Sequence, residues 1–164
     1  MATEIEVKYL VKSLPDLTNV KHEKIVQGYL RRSHGEGLST VRVRQLGNKG
    51  FFTIKGDRVG ISQKEFEYEI PVEEAKEMFS LCEPGILEKT RYYIPHGNHT
   101  IELDVFEGRH KGLVVAEIEL SSEDEKFDIP DWFGEDVSKD GSYSNAALSK
   151  PSVVQEFSYF VKPK

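Results

Sequence analysis

Like charges recur at every second position along much of this chain. Residues 3–11 alternate Glu4, Glu6 and Lys8 with Ile5, Val7 and Tyr9; residues 40–46 alternate Arg42 and Arg44 with Val41 and Val43; residues 63–70 alternate Glu65, Glu67 and Glu69 with Phe66, Tyr68 and Ile70. At the same spacing, residues 87–94 carry Lys89 and Arg91, residues 100–105 carry Glu102 and Asp104, and residues 113–120 carry Glu117 and Glu119. A two-residue period is that of a β-strand, whose side chains point to alternate faces. Two like charges on one strand face stand roughly 7 Å apart and repel. The outer face of an ordinary sandwich mixes polar residues and looks at water, whereas a face of doubled like charges requires compensation. With residues 26–32 and 51–55 there are eight candidate strands joined by hairpin-length connections. They predict an all-β-dominated α+β fold, an eight-stranded antiparallel closed β-barrel with a few flanking helices. Its charged faces then line a wet tunnel, where basic strands, acidic strands, divalent cations and an anionic ligand neutralise one another. The alternative is a set of solvated faces on an edge-rich sheet. It explains any single doublet but has to be invoked separately for each.

Turn-formers divide the rest of the chain. Residues 34–37 read as a turn, and Gly56 and Asp57 as another. Residues 72–79 have helical spacing, with Val72, Ala75, Met78 and Phe79 on one side. Residues 121–140 read as an acidic loop and 144–150 as a short helix, and an extended or helical piece follows Pro151. No linker or internal repeat interrupts residues 1–164, so one domain is expected. Nine Phe and seven Tyr supply enough apolar surface to oppose disorder. The lone Cys82 excludes an internal disulfide and a multi-cysteine zinc site. Neither a signal-peptide layout nor an apolar run of membrane length occurs, from which a soluble cytoplasmic protein is expected. The 28 acidic and 22 basic residues give a net charge of −6, which weighs against a general nucleic-acid coat.

Other motifs carry less. No P-loop pattern occurs, and the Gly35–Gly37 stretch lacks the dinucleotide-binding spacing. His22, His34, His96, His99 and His110 lack metalloprotease spacing and read as surface or turn residues. Asn98-His99-Thr100 fits a glycosylation sequon but reads as a hairpin turn. Trp132, Phe133 and Tyr143 read as packing aromatics, and Asp131, Glu135, Asp136 and Asp140 as a solvated loop without calcium-loop spacing.

Taken in order, several segments resemble the CYTH family, also called triphosphate tunnel metalloenzymes. They are Glu4-Ile5-Glu6-Val7-Lys8, Gln27-Gly28-Tyr29-Leu30, Val41-Arg42-Val43-Arg44, Thr53-Ile54-Lys55, Glu65-Phe66-Glu67-Tyr68, Glu88-Lys89-Thr90-Arg91-Tyr92, Glu102-Leu103-Asp104-Val105 and Glu117-Ile118-Glu119. The tail from Asp136 to Asn145 is similar to that of short bacterial members. The resemblance implies a tunnel that binds a triphosphate and Mg2+ or Mn2+, as two ions, with residues 121–164 near one mouth. Glu4, Glu6, Glu117 and Glu119, with Asp104 as a fifth, offer hard oxygens to the metal. Arg42, Arg44, Lys55, Lys89 and Arg91, with Lys8, offer charge and hydrogen bonds to phosphate oxygens. Glu65, Glu67 and Glu102 either hold those bases in place or assist water activation. Tyr29 and Lys150 are further substrate-binding candidates, Lys150 on a helix that closes one end. Two departures from the family pattern remove bases at a tunnel mouth: Gln63 where an arginine is usual, and Ser142 before Tyr143. Hydrolysis of inorganic triphosphate is the leading expectation. A class IV adenylyl cyclase, a thiamine or nucleoside triphosphatase and a non-enzymatic polyphosphate-binding module are the alternatives. A homodimer would cover outer apolar strand faces that the helices leave open.

Overall fold

The structure, a computed structural model, describes residues 3–32 and 39–150. The expected turn at 34–37, with His34, and the piece after Pro151 lie outside the described residues. Nine strands form one sheet: β1 (Thr3–Val11), β2 (His22–Arg31), β3 (Thr40–Leu46), β4 (Lys49–Val59), β5 (Ser62–Ile70), β6 (Leu87–His96), β7 (His99–Phe106), β8 (Val114–Glu119) and β9 (Phe133–Asp136). Every pairing is antiparallel, in the order β5-β4-β3-β2-β6-β7-β8-β1-β9. A further pairing of β1 with β5, through Thr3, Glu4 and Ile5, closes the first eight into a barrel. The expected barrel is therefore present, with one strand more than expected.

That extra strand is a correction. Residues 121–140 read as an acidic loop, yet β9 pairs with the part of β1 that β5 does not reach, at Tyr9 and Val11. Four residues with two acids, Phe133-Gly134-Glu135-Asp136, show no alternation; an open strand edge and the burial of Phe133 produce the strand. A second correction concerns β4, which runs to Val59 and does not end at Lys55. Gly56 and Asp57 make a bulge inside the strand, and the hairpin turns instead at Gly60, whose φ of +62° suits glycine. The hairpin at Gly97 and Asn98 is as expected.

Burial is divided by the barrel wall. Outside, Val7, Tyr9, Val11, Leu103, Ala116 and Ile118 form a core that the incoming chain covers with Phe127, Trp132 and Phe133. Inside one end, Leu10, Leu87, Phe106 and Val115 pack with Val137, Tyr143 and Leu148 into an apolar plug. The helices follow this division. Helix α1 (Val72–Met78) buries only Ala75 of its expected stripe and seats that methyl over Gly50. Helix α2 (Asn145–Ser149) carries Leu148 into the plug, with the Ser144 hydroxyl capping its start. Its far end is held by side chains: Arg109 and His110 donate to or contact the carbonyl oxygen of Leu148, and Arg32 reaches Ala146 and Ser149. His110 is thus buried, contrary to the surface reading, because it serves that helix end.

Gly85 marks how tightly α2 is seated. Its φ is +106°, and a Cβ there would overlap the carbonyl of Ser149. Replacing Gly85 by Ala is expected to lower stability by more than about 1 kcal/mol, seen as a lower urea midpoint; an unchanged midpoint would contradict this docking of α2.

Candidate active site in the tunnel

Strand register alone gathers the charged residues. Lys8 faces Glu117 and Glu6 faces Glu119 across β1 and β8, and Glu117 faces Glu102 on β7. Asp104 faces Arg91, Tyr29 faces Arg42, Arg42 faces Thr53, Thr53 faces Glu67, and Lys55 faces Glu65. Cross-strand partners share a face. The chain of pairings therefore puts Glu4, Glu6, Lys8, Tyr29, Arg42, Arg44, Lys55, Glu65, Glu67, Lys89, Arg91, Glu102, Asp104, Glu117 and Glu119 on the inner wall.

On the basic side the charges are unevenly matched. Arg42 and Arg44 each donate through Nη2 to one oxygen of Glu67, at 3.3 and 3.2 Å, and Thr53 donates to the same oxygen at 2.9 Å. Both arginines are buried, and the Nε of each has no hydrogen-bond partner. Burial, together with Arg42 and Arg91, lowers Arg44 to about 10. Two guanidiniums on one carboxylate oxygen, each with an orphaned donor, form a pocket suited to an additional anion. Arg91 is the opposite case. It grips Asp104 through Nε at 2.8 Å and Nη2 at 2.9 Å, and Lys89 adds an ion pair to Asp104 at 2.8 Å. Burial, with Arg91 close by, lowers Lys89 to about 8. Asp104, expected among the metal ligands, has both oxygens engaged by Arg91 and Lys89 and stands as their counter-ion.

The acidic side lies on β1 and β8. Lys55 bridges Glu4 at 3.0 Å and Glu65 at 3.2 Å. Burial disfavours ionised Glu4, but the Lys55 ammonium outweighs it and leaves that carboxyl below its ordinary value. Glu6 and Glu117 are in hydrogen-bond contact; burial and the charges of Glu117 and Glu4 raise Glu6 well above the usual range. Burial acts the same way on Glu117, but Lys8 and Arg91 hold it well below that range. Carboxyls packed together in this way make a place where a hard cation relieves repulsion. As they stand, no three His, Cys, Asp or Glu side chains among the described residues are grouped to hold a metal. Glu4, Glu6, Glu117 and Glu119 fit a divalent cation by donor type and by adjacency.

Between the two walls lies a cavity of about 240 Å³, bounded by Lys8, Tyr29, Arg42, Lys55, Arg58 and Asn145, among others. Helix α2 lines one side of this cavity through Asn145 and Ala146. Lys150, however, stands exposed at the helix's C-terminal end, outside the cavity, because the chain enters α2 from the lumen side and leaves outward. Asn145 takes the place expected of it and accepts from Lys89 Nζ at 2.9 Å. Tyr29 is buried, with its hydroxyl 3.3 Å from Gln27 Nε2.

The family model of the CYTH domain matches residues 2–155. The chain belongs to the CYTH family. An inorganic triphosphatase of Acetivibrio thermocellus is 42% identical over 151 residues, covering 92% of this chain and 95% of that protein. An inorganic triphosphatase of Nitrosomonas europaea is 38% identical over 151 residues, covering 90% and 97%. A crystal structure of an inorganic triphosphatase matches with a TM-score of 0.66 at 36% identity, over 91% of this chain and 95% of its own.

Within this CYTH tunnel, Arg58 and Asn145 also line the cavity, and neither was among the expected site residues. Neither lies on the alternating pattern: one is delivered by a bulge, the other by a short helix. No helix among the described residues is long and apolar enough to cross a membrane.

The pairing of Asp104 yields a direct test. Asp104→Asn leaves Lys89 and Arg91 buried without their shared counter-ion and is expected to cost about 3–5 kcal/mol in urea unfolding. Glu73→Gln, which breaks the exposed Glu73–Lys76 pair, is expected to stay within about 0.5 kcal/mol. Equal, small effects would contradict the counter-ion role.

Proposed function

We propose that this chain is a metal-dependent inorganic triphosphatase, an enzyme that hydrolyses tripolyphosphate to pyrophosphate and phosphate inside the tunnel. The observation that carries this reading is the Arg42–Arg44 pair, which shares a single carboxylate oxygen and keeps two buried donors unused in a closed barrel. A small linear polyanion with oxygens on every side satisfies those donors. The identity to inorganic triphosphatases over nearly the whole chain supports the same substrate.

Roles follow from position. Arg42, Arg44, Lys55, Lys89 and Arg91, with Lys8, bind and orient the phosphate oxygens and stabilise the charge that builds on the leaving pyrophosphate. Glu67 holds Arg42 and Arg44, Glu65 holds Lys55, and Glu102 accepts from Arg91 at 3.2 Å. These contacts favour a positioning role for the three glutamates over water activation. Membership of the family brings dependence on a divalent metal, read here as two ions of Mg2+ or Mn2+ held by Glu4, Glu6, Glu117 and Glu119. Held by those carboxylates, the metal would supply charge neutralisation and polarisation of a water. The water oxygen bonds to the terminal phosphorus, the bond from that phosphorus to the bridging oxygen breaks, pyrophosphate leaves, and the proton lost by the water passes to solvent. Asn145, with the plug behind it, excludes bulk water from the Lys89 end. Among the described residues that line the cavity, Tyr29 is the one aromatic, which favours inorganic triphosphate over a nucleotide or thiamine ester.

The test is one purified sample offered tripolyphosphate, longer polyphosphate, ATP and thiamine triphosphate, with Mg2+ or Mn2+ and with chelator. The expected products are phosphate and pyrophosphate from tripolyphosphate, only with metal. Cyclic AMP and pyrophosphate from ATP would make the chain a cyclase, and binding without turnover would make it a polyphosphate-binding module.

A further inference from the structure

Arg58 enters the lumen by a device that strand alternation does not encode. Lys55 faces inward opposite Glu65, so a regular β4 would turn residue 58 outward. The bulge adds one residue to β4, and Arg58 instead pairs with inward-facing Gln63. Gln63 secures both parts. Its Nε2 donates to the carbonyl of Gly56 in the bulge at 2.7 Å, and its Oε1 accepts from Arg58 Nη2 at 3.1 Å. Arg58 Nη1 donates to the carbonyl of Ile61 at 3.3 Å, and the nearest carboxylate oxygen, on Glu6, lies 3.6 Å from Nη2.

These contacts steer a guanidinium without neutralising it. Arg91 is clamped by two short charged bonds to Asp104, whereas Arg58 is met by two neutral acceptors and one loose carboxylate, and its side chain remains 31% exposed. Its position is also distinctive. Arg58, Lys8 and Glu6 line both the inner cavity of about 240 Å³ and a neighbouring one of about 410 Å³ that opens beside Ser138 and Lys139. Arg42 and Lys55 line the inner cavity with Arg58, so Arg58 stands where that cavity meets the outer one.

We propose that Arg58 is a phosphate-binding residue, which takes the outermost phosphate of a bound triphosphate where the two cavities meet. The proposal rests on the reading of the lumen as a triphosphate site. It also explains why a glutamine serves at position 63: the charge comes from across the hairpin, and the glutamine aims it.

The test uses equilibrium binding of the di-imido analogue of tripolyphosphate, whose bridges resist hydrolysis, to the full chain with Mg2+, beside turnover of tripolyphosphate itself. Loss of a charge-assisted hydrogen-bond donor predicts that Arg58→Gln binds the analogue about tenfold more weakly or worse. Arg58→Lys, which keeps the charge, is expected to recover most of that loss. Binding by Arg58→Gln within twofold of the unaltered protein overturns the proposal. Arg58→Lys as weak as Arg58→Gln would assign the loss to the bulge rather than to charge, and also overturns it. If the unaltered protein binds the analogue yet leaves tripolyphosphate intact, the triphosphatase reading falls while the comparison of variants still decides Arg58. If it neither binds nor hydrolyses, both fall.

Discussion

Charges of one sign, repeated on one strand face, have to be answered by charges of the other sign, either on a neighbouring strand or across the seam that closes the barrel. Lys89 and Arg91 on β6 are answered by Asp104 on β7. Lys55 on β4 is answered by Glu4 on β1, and this second pair spans the seam at which β1 and β5 complete the barrel. The lumen is therefore both the source of repulsion and its remedy. An open sheet would keep Glu67 beside Arg42 and Arg44 but would part Glu4 from Lys55, whose pairing depends on the β1–β5 closure.

This arrangement inverts the usual small barrel, which fills its interior with apolar side chains. Here the apolar faces of β1, β7 and β8 point outward, and the chain from residue 121 onward returns to cover them with Phe127, Trp132 and Phe133. The same returning chain enters the barrel end, where Val137, Tyr143 and Leu148 join the inward apolar tips of four strands. One segment thus supplies the outer core, closes the end of the lumen and delivers Asn145 to Lys89. The polar interior costs desolvation of many charges, and the two apolar clusters on either side of the wall offset that cost.

What could be read from the sequence is what depends on a period of two. Eight strands, closure, and the inward placement of fourteen of the charged candidates all follow from alternation. The exceptions share a cause, in that each depends on a break in the period or on a partner distant in sequence. Arg58 faces inward because Gly56 and Asp57 bulge where a turn was expected. β9 forms because β1 offers an unpaired edge. Asp104 looks like its fellow carboxylates in sequence, and only the approach of Arg91 and Lys89 makes it a counter-ion. Lys150 sits near enough in sequence to suggest contact with phosphate, but the direction in which α2 runs turns it outward.

The central claim is that the basic and acidic walls clamp one triphosphate together with divalent metal. A crystal structure with the di-imido analogue and Mn2+, read through the anomalous signal of the metal, addresses it most directly. The prediction is a metal signal beside Glu4, Glu6, Glu117 and Glu119, with phosphate oxygens on Arg42 and Arg44. A metal signal elsewhere, or an analogue bound outside the barrel, would contradict it.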